Sequence, residues 1–130
     1  MRINKLRKAG FTLVEIMIVV AIIGLLAAIA IPNFVRARAT SQANACINNL
    51  RQIDGATQQW ALENKAGPGS TVSFGKIQPY LKNAVTCPAG GANASFSSSY
   101  SLSTVTNKPT CQVGSAFTPI QHVLPADTTG

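Results

Sequence analysis

The chain is 130 residues long and 46% hydrophobic, with 11 basic against 4 acidic side chains and a net charge of +7. Arg2, Lys5, Arg7 and Lys8 supply four of those charges, so residues 11–130 hold seven basic and four acidic side chains, a formal +3. That excess is too weak and too scattered to argue for nucleic acid, and the length suits one small domain.

The first feature along the chain is a basic leader that stops at Gly10. An apolar run follows from Phe11 to Ile31, with Glu15 as its sole ionisable side chain. As a helix at about 1.5 Å per residue, the run spans the roughly 30 Å hydrocarbon core of a bilayer. The basic flank then lies on the cytoplasmic side by the positive-inside rule, and the bulk of the chain lies across the membrane, where disulfides persist. An ordinary secretory signal peptide is the alternative, with Ala28-Ile29-Ala30 as its cleavage site. The apolar stretch of about 17 residues exceeds the usual 7–15 of such signals, and it contains a glutamate. An unpaired carboxylate near the membrane asks for a partner. Gly24 and Ala28 give a small-xxx-small spacing that lets helices approach closely, and Pro32 either loosens the helix as it leaves the lipid or marks the boundary.

The segment from Gly10 to Pro32, G-F-T-L-V-E-I-M-I-V-V-A-I-I-G-L-L-A-A-I-A-I-P, resembles the N-terminus of class III prepilins, the precursors of type IV pilins and type II secretion pseudopilins. The resemblance implies cleavage between Gly10 and Phe11 by a prepilin peptidase and N-methylation of the new Phe11 terminus. It makes Glu15, Gly24 and Pro32 the assembly residues. It implies a pilin-like α+β fold, a homo-oligomeric helical filament, lipid around the helix before assembly, and an inner-membrane platform with a cytoplasmic ATPase. It places the chain at the bacterial inner membrane with a periplasmic domain, or at the cell surface as a pilus. The α-amine of Phe11 and the carboxylate of Glu15 on a neighbouring subunit would neutralise each other in an apolar place.

Beyond Pro32 an amphipathic pattern resumes. Phe34, Val35, Ala39, Ala43, Cys46, Ile47, Leu50, Ile53, Thr57, Trp60 and Ala61 recur at three- and four-residue steps. Lys65-Ala66-Gly67-Pro68-Gly69 stops it. A helix from Phe11 to about Asn64 is near 80 Å long at about 1.5 Å per residue, more than the remaining residues can cover, so its first half needs lipid or neighbouring copies. Trp60 reads as a core aromatic under a sheet. Arg36 and Arg38 read as contacts to headgroups or a neighbour's acid, or as a solvated flank.

From Ser70 the composition turns to Ser, Thr, Gly, Pro and Asn. Phe74–Leu81 reads as a short helix or two turns. Ala84–Cys87, Tyr100–Val105 and Thr110–Val113 read as strands, and Phe96–Tyr100 as a loop or edge strand. The expected layout is a leader over 1–10, a transmembrane and assembly helix over 11–32, an amphipathic helix over 33–66, and a β-rich region over 67–130 packed on the helix as a small antiparallel sheet.

The chain has three cysteines and one histidine, with no C-x-x-C pair, so no structural zinc site is expected. A Cys87–Cys111 disulfide closes a loop worth about 3 kcal/mol in the chain-entropy model. Pairing through Cys46 stays open, because loop entropy separates the two by only a few tenths of a kcal/mol. Cys46 otherwise packs as a small hydrophobe. The stretch from Cys87 to Pro125 is loosely similar to tails of some pseudopilin-like proteins. Secretion pseudopilins carry a calcium site in an acidic C-terminal loop, but the sole acid after Glu63 is Asp127, so no calcium site carries over. His122 reads as a surface or loop histidine. No phosphate-binding glycine loop appears, and no enzyme or cofactor is expected.

Three readings of function remain at this level. The first is a filament subunit, pilus or pseudopilus. The second is a DNA-uptake pilin, with Lys76, Lys82 and Lys108 as candidate phosphate contacts. The third is a monomeric membrane-anchored domain.

Overall fold

The computed structural model describes residues 9–114 and 122–124. One helix, α1, runs from Leu13 to Glu63 and passes through Pro32 without a break. A mid-helix proline removes one hydrogen bond and crowds a carbonyl one turn back. The helix nonetheless continues to Glu63, so Pro32 does not end it.

The chain divides into two compact units, residues 1–37 and residues 38–130. In the first, all described residues are exposed except the half-buried Ala27. An 18-residue window of α1 has a mean hydropathy of 2.9, long and apolar enough to cross a membrane.

In the second unit, α1 buries Ala43, Cys46, Leu50, Ile53, Ala56, Thr57 and Ala61. These fall at the three- and four-residue steps that put them on one face. Leu50, Ile53, Ile77, Cys46 and Cys87 are the largest apolar side chains with essentially no exposure, and Val72, Val85, Tyr100, Val105 and Cys111 complete the core. The helix ends on Lys65, whose φ of +50° is left-handed. The Ala66 amide donates to the Ala61 carbonyl at 2.9 Å and the Lys65 amide to Leu62 at 3.4 Å. This is the Schellman pattern, with lysine where glycine is usual.

The remaining elements are short. Helix α2 covers Phe74–Ile77 and leads into a 3-10 turn over Gln78–Tyr80; a second 3-10 turn covers Pro88–Gly90. Helix α3 is Phe96–Ser99, and strands β1 (Tyr100–Ser101) and β2 (Thr110–Cys111) pair antiparallel, Tyr100 opposite Cys111. The fold is therefore α+β and pilin-like, but its sheet is smaller than the three expected strands.

The reason lies in competing hydrogen bonds. Ala84–Cys87 forms no strand: the Thr86 carbonyl takes the Asn49 side-chain amide at 2.9 Å, and the Cys87 carbonyl takes the Gly90 amide at 2.9 Å. After Ser101 the chain changes partner. Val72 donates to Ser103, Val105 donates to Ser70, and Thr71 and Thr104 form an isolated bridge. Phe96–Ser99 is a helical turn rather than a loop or strand because Ser95 and Ser98 form a capping box, each side-chain oxygen taking the other's amide at 3.0 and 3.3 Å.

Trp60 is half-buried at the edge of the core, and the Lys76 ammonium lies 5.0 Å from its ring centre. Phe74 stacks on Phe96 at 4.1 Å.

Candidate functional site

The N-terminal segment begins in non-helical backbone. Gly10 and Phe11 precede the helix, both are exposed, and Phe11 is 85% exposed. A protease needs its scissile bond outside regular structure and open to approach, and the Gly10–Phe11 bond satisfies both conditions.

Thr12 is the N-cap of α1. Its amide donates to Glu15 Oε2 at 2.8 Å, and the Glu15 amide donates to Thr12 Oγ1 at 3.3 Å. This is a capping box, T-x-x-E, which answers two of the amides that a helix start leaves unpaired. The sequence reading missed it, although Thr or Ser three residues before an acid at the head of an apolar run is its signature. It also changes the picture of Glu15, because the carboxylate already has a partner within its own chain.

The apolar face that follows is open. Leu13, Met17, Leu25, Ile31 and Phe34 are each more than 60% exposed. A side chain added at Gly24 would meet nothing within 4 Å, so nothing among the described residues requires glycine there.

A second constellation lies in the domain of residues 38–130. Cys46 comes from α1, Cys87 from the segment before the second 3-10 turn, Cys111 from β2, and His122 from residues 122–124. Their sulfurs and ring nitrogen all lie within 4.8 Å of one another, and all four residues are buried. Cys87 Sγ and Cys111 Sγ are 3.6 Å apart, and His122 Nδ1 is 3.7 Å from the first and 3.8 Å from the second. The Gly114 amide donates to Cys111 Sγ at 3.3 Å. A Cβ on Gly114 would overlap the His122 ring, so the imidazole takes the space that glycine leaves.

This grouping departs from the sequence reading in two respects. His122 lies outside regular structure, as a loop residue does, but at 4% exposure it is buried and not on the surface, and four potential metal ligands meet where spacing along the chain suggested none. Cys87 and Cys111 are adjacent as expected for a pair, but both are free thiols, as is Cys46. Burial pushes the Cys46 and Cys87 thiols up from their ordinary pKa and pushes the His122 imidazole down, because each charged form loses hydration.

Residues 5–31 match the family model for the prokaryotic N-terminal methylation motif. The type IV major pilin protein PilA of Myxococcus xanthus is 48% identical over 65 residues, covering 48% of this chain and 30% of that protein. The type II secretion system core protein G of Klebsiella pneumoniae is 31% identical over 91 residues, covering 65% of this chain and 63% of that protein. The fimbrial protein EcpC of Eikenella corrodens is 36% identical over 87 residues, covering 65% and 57%. The chain thus spans between 30 and 63% of the length of these relatives. No solved structure gives a significant match.

Proposed function

We propose that the chain is a filament subunit of the type IV pilin and type II secretion pseudopilin kind, assembled into a helical filament through α1 after prepilin cleavage. The observation that carries this reading is the apolar surface of residues 13–35, exposed along its whole length. A continuous apolar patch far larger than a few hundred Å² needs lipid or protein over it. Lipid covers it before assembly and neighbouring copies of α1 cover it afterwards.

In this reading a prepilin peptidase cuts Gly10–Phe11 and methylates the Phe11 amine. The basic leader stays on the cytoplasmic side of the inner membrane and the domain of residues 38–130 lies in the periplasm. A membrane platform with a cytoplasmic ATPase drives assembly. The role is structural, not catalytic.

Glu15 has two tasks here. It caps its own helix through Thr12, and its charge answers the Phe11 amine of a neighbouring subunit. Glutamine can still accept the Thr12 amide but carries no charge, so Glu15→Gln separates the two. We expect Glu15→Gln to leave the sheared filament fraction while the subunit still reaches the membrane. Normal incorporation of Glu15→Gln would reject the charge pairing, and a wild-type chain that gives no ladder of oligomers on cross-linking in the membrane would reject assembly itself.

No observation favours the DNA-uptake reading. Of its three candidate lysines, Lys76 donates to the Thr71 carbonyl at 2.8 Å and lies against Trp60, so it belongs to the fold of its own domain.

A further inference from the structure

We propose that Cys46, Cys87, Cys111 and His122 form a closed, structural zinc site that pins the domain of residues 38–130. Four lines of observation lead there.

The first is distance. With Zn–S near 2.3 Å and Zn–N near 2.0 Å, a tetrahedral centre puts its sulfurs about 3.8 Å apart and sulfur and nitrogen about 3.6 Å apart. Cys87 and Cys111 match this, at 3.6 Å from each other and 3.7 and 3.8 Å from His122 Nδ1, and the Cys46 sulfur lies within 4.8 Å of all three, so at most a shift of about 1 Å brings it to ligand distance. A disulfide needs about 2.05 Å, so the Cys87 and Cys111 sulfurs stand at the spacing of metal ligands, not of a bond.

The second is ligand count. Three thiols cannot all pair as disulfides. Any one bridge would use two of the four groups and leave a thiol and the imidazole outside it. A single tetrahedral cation uses all four groups, and three thiolates with one imidazole is a donor set that selects zinc.

The third is the surroundings. The Gly114 amide already points at Cys111 Sγ at 3.3 Å, as a donor that would stabilise a thiolate. Gly114 also makes room for the ring that brings Nδ1 to the sulfurs. On binding, three thiols release their protons to water, three S–Zn bonds and one N–Zn bond form, and the centre carries a net charge of −1.

The fourth is architecture. The ligands come from α1, from the segment before Pro88, from β2 and from residue 122. The two-stranded sheet has only two residues per strand. A domain with so little ladder gains most from a centre that joins four distant points, and structural zinc contributes folding free energy directly. All four positions are protein ligands with exposures of 0 to 5%, so no coordination position is left for a substrate. The site is structural, not catalytic.

The test uses the full chain purified in detergent without chelator. We expect one zinc per chain by elemental analysis, and cysteines that resist a maleimide until a chelator is added. Cys46→Ser and His122→Ala should each lower zinc retention against a competing chelator by at least about tenfold. Should a variant fail to fold, the wild-type chain decides. Stripped of metal and given cobalt(II), it should show the thiolate-to-cobalt charge-transfer and intense visible bands of a tetrahedral site. A chain that holds no metal and yields a disulfide among Cys46, Cys87 and Cys111 on non-reducing peptide mapping would overturn the proposal. So would zinc retention that Cys46→Ser and His122→Ala leave unchanged. Neither result bears on filament assembly through α1.

Discussion

Thr12 and Glu15 exchange hydrogen bonds across the first turn of α1, amide to carboxylate at 2.8 Å and amide to hydroxyl at 3.3 Å. The acid inside the apolar run is therefore held by its own chain before any neighbour arrives. One carboxylate oxygen serves the cap; in the assembly proposed above, the charge as a whole would still be available to the Phe11 amine of another subunit.

The cap and the charge make different demands on Thr12. Thr12→Ala removes the hydroxyl that takes the Glu15 amide and should cost about 1 kcal/mol, confined to the first turn. Amide hydrogen exchange at residues 13–16 should speed up by about fivefold, while incorporation into filaments stays near wild type. Loss of incorporation by Thr12→Ala would show that the cap itself is needed for assembly.

At the other end of α1, Lys65 holds a left-handed φ of +50°. A side chain in that conformation costs roughly 1–2 kcal/mol, which glycine avoids, while glycine's freer unfolded chain returns part of the gain. Lys65→Gly should stabilise the domain by about 0.5–1 kcal/mol and raise Tm by a few degrees. Thermal unfolding followed by Trp60 fluorescence checks this; an unchanged or lower Tm would contradict it.

Asn49 connects three parts of the domain. Its side-chain amide donates from α1 to the Thr86 carbonyl at 2.9 Å and to the Tyr100 hydroxyl at 3.0 Å. Asn49→Ala leaves both acceptors without that donor, and part-buried groups so abandoned cost about 1–3 kcal/mol. Denaturant unfolding should shift its midpoint down with little change in slope. The neighbouring core change Leu50→Ala should cost about 2–5 kcal/mol, because Leu50 has no exposure.

The chain has two tyrosines, and the fold holds both phenols neutral beyond their usual range. Burial raises the Tyr100 pKa, and the hydrogen bond that Tyr80 donates to Glu63 raises the Tyr80 pKa. Ultraviolet titration of the folded chain should place both tyrosinate steps above that of the denatured chain, whose phenols titrate at the usual value of about 10. Because the folded state keeps protons that the unfolded state has lost, stability is full below about pH 10 and declines as pH rises through the folded values. Tyr80→Phe should leave one raised step, that of Tyr100.

What could be read without a structure is what depends on neighbours along the chain. The apolar run from Phe11 to Ile31, the three- and four-residue steps from Ala43 to Ala61, and the stop after Asn64 are local patterns, because a helix closes its hydrogen bonds four residues apart. The family resemblance rests on the residues from Gly10 to Pro32, and the α+β class on the helix together with the strand-like pieces after Ser70. Even the Thr12–Glu15 capping box was legible in principle, at a spacing of three.

The small sheet was not legible. Tyr100 to Val105 has a strand-like composition, but its partners are Cys111 and Thr110 at one end and residues 70–72 at the other, and residues 84–87 gave a carbonyl to Asn49 instead of to a ladder. Strand formation depends on where the partner lies, and that is settled by packing across the core.

The same holds more strongly for the cluster of thiols and imidazole. Cys87 and Cys111 stand 24 positions apart and His122 follows 11 later, with Cys46 on the long helix well before them. No spacing signature links the four, because the geometry is set by the fold and not by a turn. Alone in sequence, Cys46 is a small apolar residue and His122 an isolated base. Packing α1 against β2 and bringing residue 122 into the space beside Gly114 turned them into four ligands around one point.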